Sequence, residues 1–128
     1  MSDGGLTPQE FVQENNKAEA DGMAVRHANA KTLLMDLDDP IAIERFRRFM
    51  PKLDELFGAK VTEEYESRSG AGHLHVVIEM DEPFPAAFRI ALQAVMGSDP
   101  LREFLSLRRL ANGVEEPSRL FRKRSDAA

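Results

Sequence analysis

The chain contains no cysteine, which excludes disulfides and thiolate metal sites. It contains no apolar run near the roughly 20 residues that a membrane-spanning helix needs. No basic segment followed by an apolar stretch opens the sequence, so no secretory signal is expected. The balance of charge is acidic, −5 over 128 residues, which argues against a protein wholly given to coating nucleic acid. These absences lead to the expectation of one soluble, cytoplasmic domain.

What charge there is lies unevenly. From Pro100 onward seven basic residues (Arg102, Arg108, Arg109, Arg119, Arg122, Lys123, Arg124) stand against four acids (Glu103, Glu115, Glu116, Asp126). That end is net +3, which leaves −8 for the first 99 residues. A basic end beside an acidic body suits local contact with phosphates; a solvated helix face is the plainer explanation.

Residues 1–30 read as a peripheral arm or short helix. Thr7, Pro8 and Glu10 form a helix start with a capping box. The QENNKAEADG that follows is too polar to hold a helix on a core, and nothing marks His27 as a ligand. The core domain is expected over residues 31–124, with a disordered tail at 125–128.

Thr32 to Asp38 alternates as a strand, with Leu33, Met35 and Leu37 on one side and Leu34, Asp36 and Asp38 on the other. Asp39-Pro40 then opens a helix with an apolar stripe from Ile43 to Phe57, which Pro51 is expected to kink or split and Gly58 ends. Lys60 to Ser67 reads as a half-exposed strand and SRSGAG as a turn. His73 to Glu79 is a strand with Leu74, Val76, Ile78 and Met80 toward the core and His73 and His75 away from it. A helix from DEPFP to Gly97 follows. Asp99-Pro100 starts another, whose Leu101, Phe104, Leu105 and Leu107 form its apolar side and whose Arg108 and Arg109 are expected in solvent. A last strand covers about Arg119 to Lys123.

With the final helix in two pieces, the order is βαββαβ, an α+β sandwich of the ferredoxin-like or RRM-like kind. The first and third strands are then antiparallel neighbours, the last strand lies beside the first, and the helices cover one face. Asp36 and Asp38 meet His73 and His75 on the open face.

Two carboxylates on one strand face, with Cα atoms roughly 6.5–7 Å apart, suit Mg²⁺ or Mn²⁺ and a bound phosphate. Asp38 and Asp39 are also explained as turn and capping residues; Asp36, inside a strand, is not. Asp99 is a helix cap or a third carboxylate. His73 and His75 are phosphate contacts, proton carriers or ordinary surface histidines. Zinc on both histidines and an Asp is a further option. Arg119, Arg122 and Lys123 on the last strand are candidates for phosphate contacts.

The D-x-D ending one strand (Asp36, Asp38) and the small-residue-to-His run SGAGHLH on another resemble the first two motifs of the archaeo-eukaryotic primase and primase-polymerase superfamily. LQAVMGSDPLREFLSLRR resembles a segment of small phage and archaeal proteins related to that group. The resemblance implies an RRM-like catalytic sheet, metal ions on Asp36 and Asp38, and a histidine of the second motif, His73 or His75, on the nucleotide's phosphates, with Ser69 in that motif. It implies nucleotidyl transfer in phage or plasmid replication, on nucleotides and single-stranded or primer–template nucleic acid. Two other readings stand beside it. One is an inert RRM-like phage protein that binds nucleic acid or inhibits a host defence protein; the other is a metal-dependent nuclease or phosphohydrolase. The single tyrosine, Tyr65, leaves an aromatic platform of the RRM type poorly supplied.

Overall fold

The computed structural model describes residues 5–66 and 72–124. Four helices and five strands follow in the order α1 (Pro8–Ala20), β1 (Met23–His27), β2 (Thr32–Leu37), α2 (Pro40–Phe57), β3 (Lys60–Glu66), β4 (Leu74–Glu79), α3 (Ala86–Val95), α4 (Pro100–Ala111) and β5 (Arg119–Lys123). The architecture is α+β with two antiparallel sheets: β2-β4-β3, and a separate ribbon of β1 with β5. Ser69 and the 125–128 tail lie outside the described residues.

The three-stranded sheet follows its sequence pattern. β4 is central, and its register sets Leu33 against Ile78, Met35 against Val76 and Asp36 against His75. Leu33, Met35 and Leu37 are fully buried with Val76 and Ile78, under Phe46 and Leu53 of α2 and Met96 just after α3. At about 25 cal/mol per Å² of apolar surface, this layer is the main source of stability. Asp39 caps α2 by accepting from the Ala42 N–H at 2.8 Å. The helix then runs through Pro51 as one element, against the expected split. Pro51 lies on the exposed side, where the missing donor faces water. Gly58 ends it at φ +62°, and a Cβ there would stand 2.0 Å from Asp81 Oδ2.

Two expectations fail, the pairing of the last strand and the open sheet face. The segment before residue 30 carries more than the expected short helix: α1 has the expected capping box, its Phe11 and Asn15 are buried, and β1 follows it. The last strand does not pair with β2; it pairs with β1, Val25 against Phe121 and His27 against Arg119. The second face of the main sheet is not open either. Leu34 and Val77 are fully buried there, with Ala28 and Leu120 of the ribbon region.

Helix α4 is turned the other way from its apolar pattern. Leu101 is 66% exposed and Phe104 73%, while Glu103, Ser106 and Arg109 are buried. The cause is the free edge of β2. Leu34 and Asp36 direct their backbone groups away from β4, and something polar must meet them. Gln93 Oε1 accepts from the Leu34 N–H at 3.0 Å, and Arg102 Nη1 donates to Leu34 O at 2.9 Å. Arg102 Nη2 donates to Arg119 O at 3.0 Å, so one guanidinium bridges β2 and β5 where a strand ladder was expected.

Candidate metal centre

Asp36 and Asp38 stand at the exit of β2 and His73 and His75 at the entrance of β4, on the same side of the sheet. His75 Nε2 lies 3.5 Å from Asp36 Oδ1, and His73 Nδ1 lies 3.6 Å from Asp38 Oδ1. Antiparallel pairing puts Asp36 directly opposite His75, so the strand register makes the first pair.

The third carboxylate arrives from the loop between α3 and α4. Gly97 has φ +110°, and a Cβ on it would come within 2.7 Å of Ala42 O, so only glycine lets the loop pass this close to the start of α2. Beyond it, Ser98 Oγ accepts from the Asp36 N–H at 3.0 Å, and the Asp99 N–H donates to Asp36 O at 2.8 Å. Asp36 is thus held through both of its outward backbone groups. Asp99 caps α4 by accepting from the Leu101 N–H at 3.2 Å, and its carboxylate also faces the other two.

One ligand oxygen from each of Asp36, Asp38 and Asp99 lies within 4.8 Å of the others. On an octahedral Mg²⁺ adjacent oxygens stand about 3 Å apart and opposite ones about 4.2 Å, so the three carboxylates have to draw together to close on one ion. Among the described residues this is the one convergent group of three ligating side chains, and His73 and His75 are not part of it.

The electrostatics fit a cation. Burial opposes ionisation of Asp36, but the His75 imidazole and then Arg102 outweigh it and hold this carboxyl below its usual value. Burial, reinforced by the neighbouring Asp36 and Asp99 charges, pushes Asp38 up to about 6. Without a cation the group therefore keeps a proton well above the usual carboxylate range. His75 is buried, and its Nδ1 has no hydrogen-bond partner among the described residues.

A cavity of about 430 Å³ is lined by two of the three carboxylates, Asp36 and Asp99, and by His75, Glu14, Arg102, Arg109 and Arg119. The basic strand expected to supply phosphate contacts is largely engaged elsewhere. Arg119 is buried, stacks 4.2 Å over Phe11 and bonds Asn15 and Glu14, anchoring α1. Arg122 lies 4.1 Å over the Tyr65 ring, and Tyr65 meets His75 edge-on. Lys123 is exposed at the far end of β5, opposite Met23. Arg109, expected in solvent, is buried, whereas Arg108 is exposed. Ser98 and Arg102 were not anticipated from the pattern; the turn-like Gly97-Ser98-Asp99-Pro100 was their one local signal.

Comparison with protein-family models, with curated proteins and with solved structures finds no match for this chain. Function is read from the site alone. The class that fold and site define is a small α+β domain with a three-carboxylate group, two members of which line a cleft with three arginines.

Proposed function

We propose that Asp36, Asp38 and Asp99 hold Mg²⁺ or Mn²⁺, and that the adjoining cleft takes the phosphates of a nucleotide or nucleic acid. On this reading the chain is a primase-polymerase-like domain on a ferredoxin-like, RRM-like sheet, acting in nucleotidyl transfer during phage or plasmid replication. The observation that carries the reading is the convergence of three carboxylates from two separate elements, with the Asp38 carboxyl pushed up to about 6 by burial and by its acidic neighbours. Asp36, Asp38 and Asp99 would hold the cation, whose contribution there would be charge neutralisation at phosphate oxygens and activation of an attacking oxygen.

The chain's own residues have distinct tasks. Asp36, kept ionised by His75, is a ready ligand at any physiological pH. Asp38 exchanges its proton for the cation. His75, paired through Nε2 with Asp36, and His73, beside Asp38, are placed to hold or pass a proton at the edge of the site. Arg102 and Arg119 already spend hydrogen bonds on backbone carbonyls, Asn15 and Glu14, so they contribute positive field to the cleft more than new bonds.

Nucleoside triphosphate binding in the presence of Mn²⁺ tests this. Affinity is expected to vanish on chelation and in Asp36→Ala. Binding that survives both would remove the proposal.

A further inference from the structure

We infer that Ser98 and Arg102 are positioning residues for the metal centre: they fasten the α3–α4 loop to the free edge of β2, and that fastening brings Asp99 to Asp36 and Asp38. The inference rests on the metal reading above and adds what assembles the site.

The contacts form one connected set. Ser98 Oγ accepts from the Asp36 N–H at 3.0 Å and from Arg102 Nη1 at 3.2 Å. A hydroxyl oxygen has two lone pairs, so its accepting capacity is used in full. Arg102 forks to Leu34 O at 2.9 Å and Arg119 O at 3.0 Å, while Glu103 receives Gln93 Nε2 at 2.8 Å. Gln93 closes the set by accepting from the Leu34 N–H.

Arg102 Nη1 also donates to Glu103 Oε2 at 2.5 Å, and such a largely buried Arg–Glu pair is weak evidence for stability, since apolar packing of similar volume does as well or better. What this pair does, and an apolar pair could not, is satisfy the β2 edge while holding a ligand-bearing loop in register. The geometry explains why α4 buries Glu103 and leaves Phe104 in solvent.

Charge gives a test with a sign. Arg102 lies close enough to Asp36 for its charge to be felt there. Were its influence only electrostatic, Arg102→Gln would tighten cation binding. As a positioning residue, its loss weakens binding instead. The experiment uses the full chain as wild type, Ser98→Ala, Arg102→Gln and, as a remote core control, Leu53→Ala. Calorimetric titration with Mn²⁺ at pH 7.5 should show affinity falling by about ten-fold or more in the first two variants, and unchanged in Leu53→Ala despite its lower melting temperature. Amide hydrogen exchange on the metal-free protein supplies a readout independent of any ion. The Asp36 and Asp99 amides should exchange faster by on the order of ten-fold in Ser98→Ala, with Val76 to Ile78 still protected.

Tighter Mn²⁺ binding in Arg102→Gln, equal weakening in Leu53→Ala, or unchanged exchange at Asp36 in Ser98→Ala would each overturn the inference. Absence of Mn²⁺ binding in the wild type would overturn the metal reading instead, and exchange at Asp36 would then decide alone whether Ser98 holds the strand. Should Ser98→Ala fail to fold, Arg102→Gln carries both measurements.

Discussion

Asp38 shows how far one side chain depends on its neighbours. Its carboxyl titrates near 6 in the folded chain, against an ordinary value of 3.8. A raised folded pKa means stability that is complete below the unfolded value and lost as pH climbs through the folded one. The metal-free protein should therefore lose stability between about pH 4 and pH 6 on account of this group. Because Asp38 is partly exposed, solvent screening reduces the effect, and about 1 kcal/mol is the expected scale. Asp38→Asn should recover it at pH 7 while losing cation binding, which denaturant unfolding and titration with Mn²⁺ would check together. Cation affinity should also rise as pH passes upward through 6, with release of the Asp38 proton.

Much at this scale was legible beforehand. Asp36 and Asp38 share a side because strand alternation has period two, and the register with His75 follows from the two apolar runs. Asp99 read equally well as a cap, and it is one; that its carboxylate also faces Asp36 depends on Gly97 bending the loop, which no spacing rule encodes. Arg119 looked like a phosphate contact because its burial under α1 is a tertiary event.

Among the elements, α4 departs furthest from its pattern. Leu101, Phe104, Leu105 and Leu107 have the spacing of a core-facing stripe, yet the helix turns its polar side inward. The reason lies outside α4, in the unpaired edge of β2, so the helix's own sequence could not reveal it. Two contrasting outcomes follow. Phe104→Ser should change unfolding free energy by no more than about 0.5 kcal/mol. Ser106→Leu, which the pattern would favour, should destabilise by about 1–3 kcal/mol through overpacking of a buried position. Gly97→Ala should cost at least about 1 kcal/mol, from the positive φ and the close Ala42 carbonyl, and should loosen the metal centre with it. Chemical denaturation of the three variants separates these cases.

For the molecule as a whole, the β2-β4-β3 sheet and its cover of α2 could be read from periodicity, while the β1–β5 ribbon and the side that α3 buries, Arg89, Ile90 and Gln93 rather than Phe88 and Val95, could not. Met23 to His27 is short and lies in polar surroundings, so its pairing with β5 shows only in three dimensions. Arg119 then joins ribbon to helix through Phe11, Asn15 and Glu14. Arg119→Ala should release α1, costing about 2 kcal/mol by leaving Asn15 without its partner and removing a buried stack. Helix α1 amides should then exchange before those of β4. None of the described helices is long and apolar enough to cross a membrane.

Titration of the full chain with Mn²⁺ at pH 7.5, followed by electron paramagnetic resonance, tests the central claim most directly. Asparagine at position 99 keeps the oxygen that caps α4, so Asp99→Asn removes ligand charge with the cap in place. One bound ion per chain is expected in the wild type, and its loss in Asp36→Asn, Asp38→Asn and Asp99→Asn alike. No bound ion in the wild type, or an ion retained in all three variants, would contradict that claim.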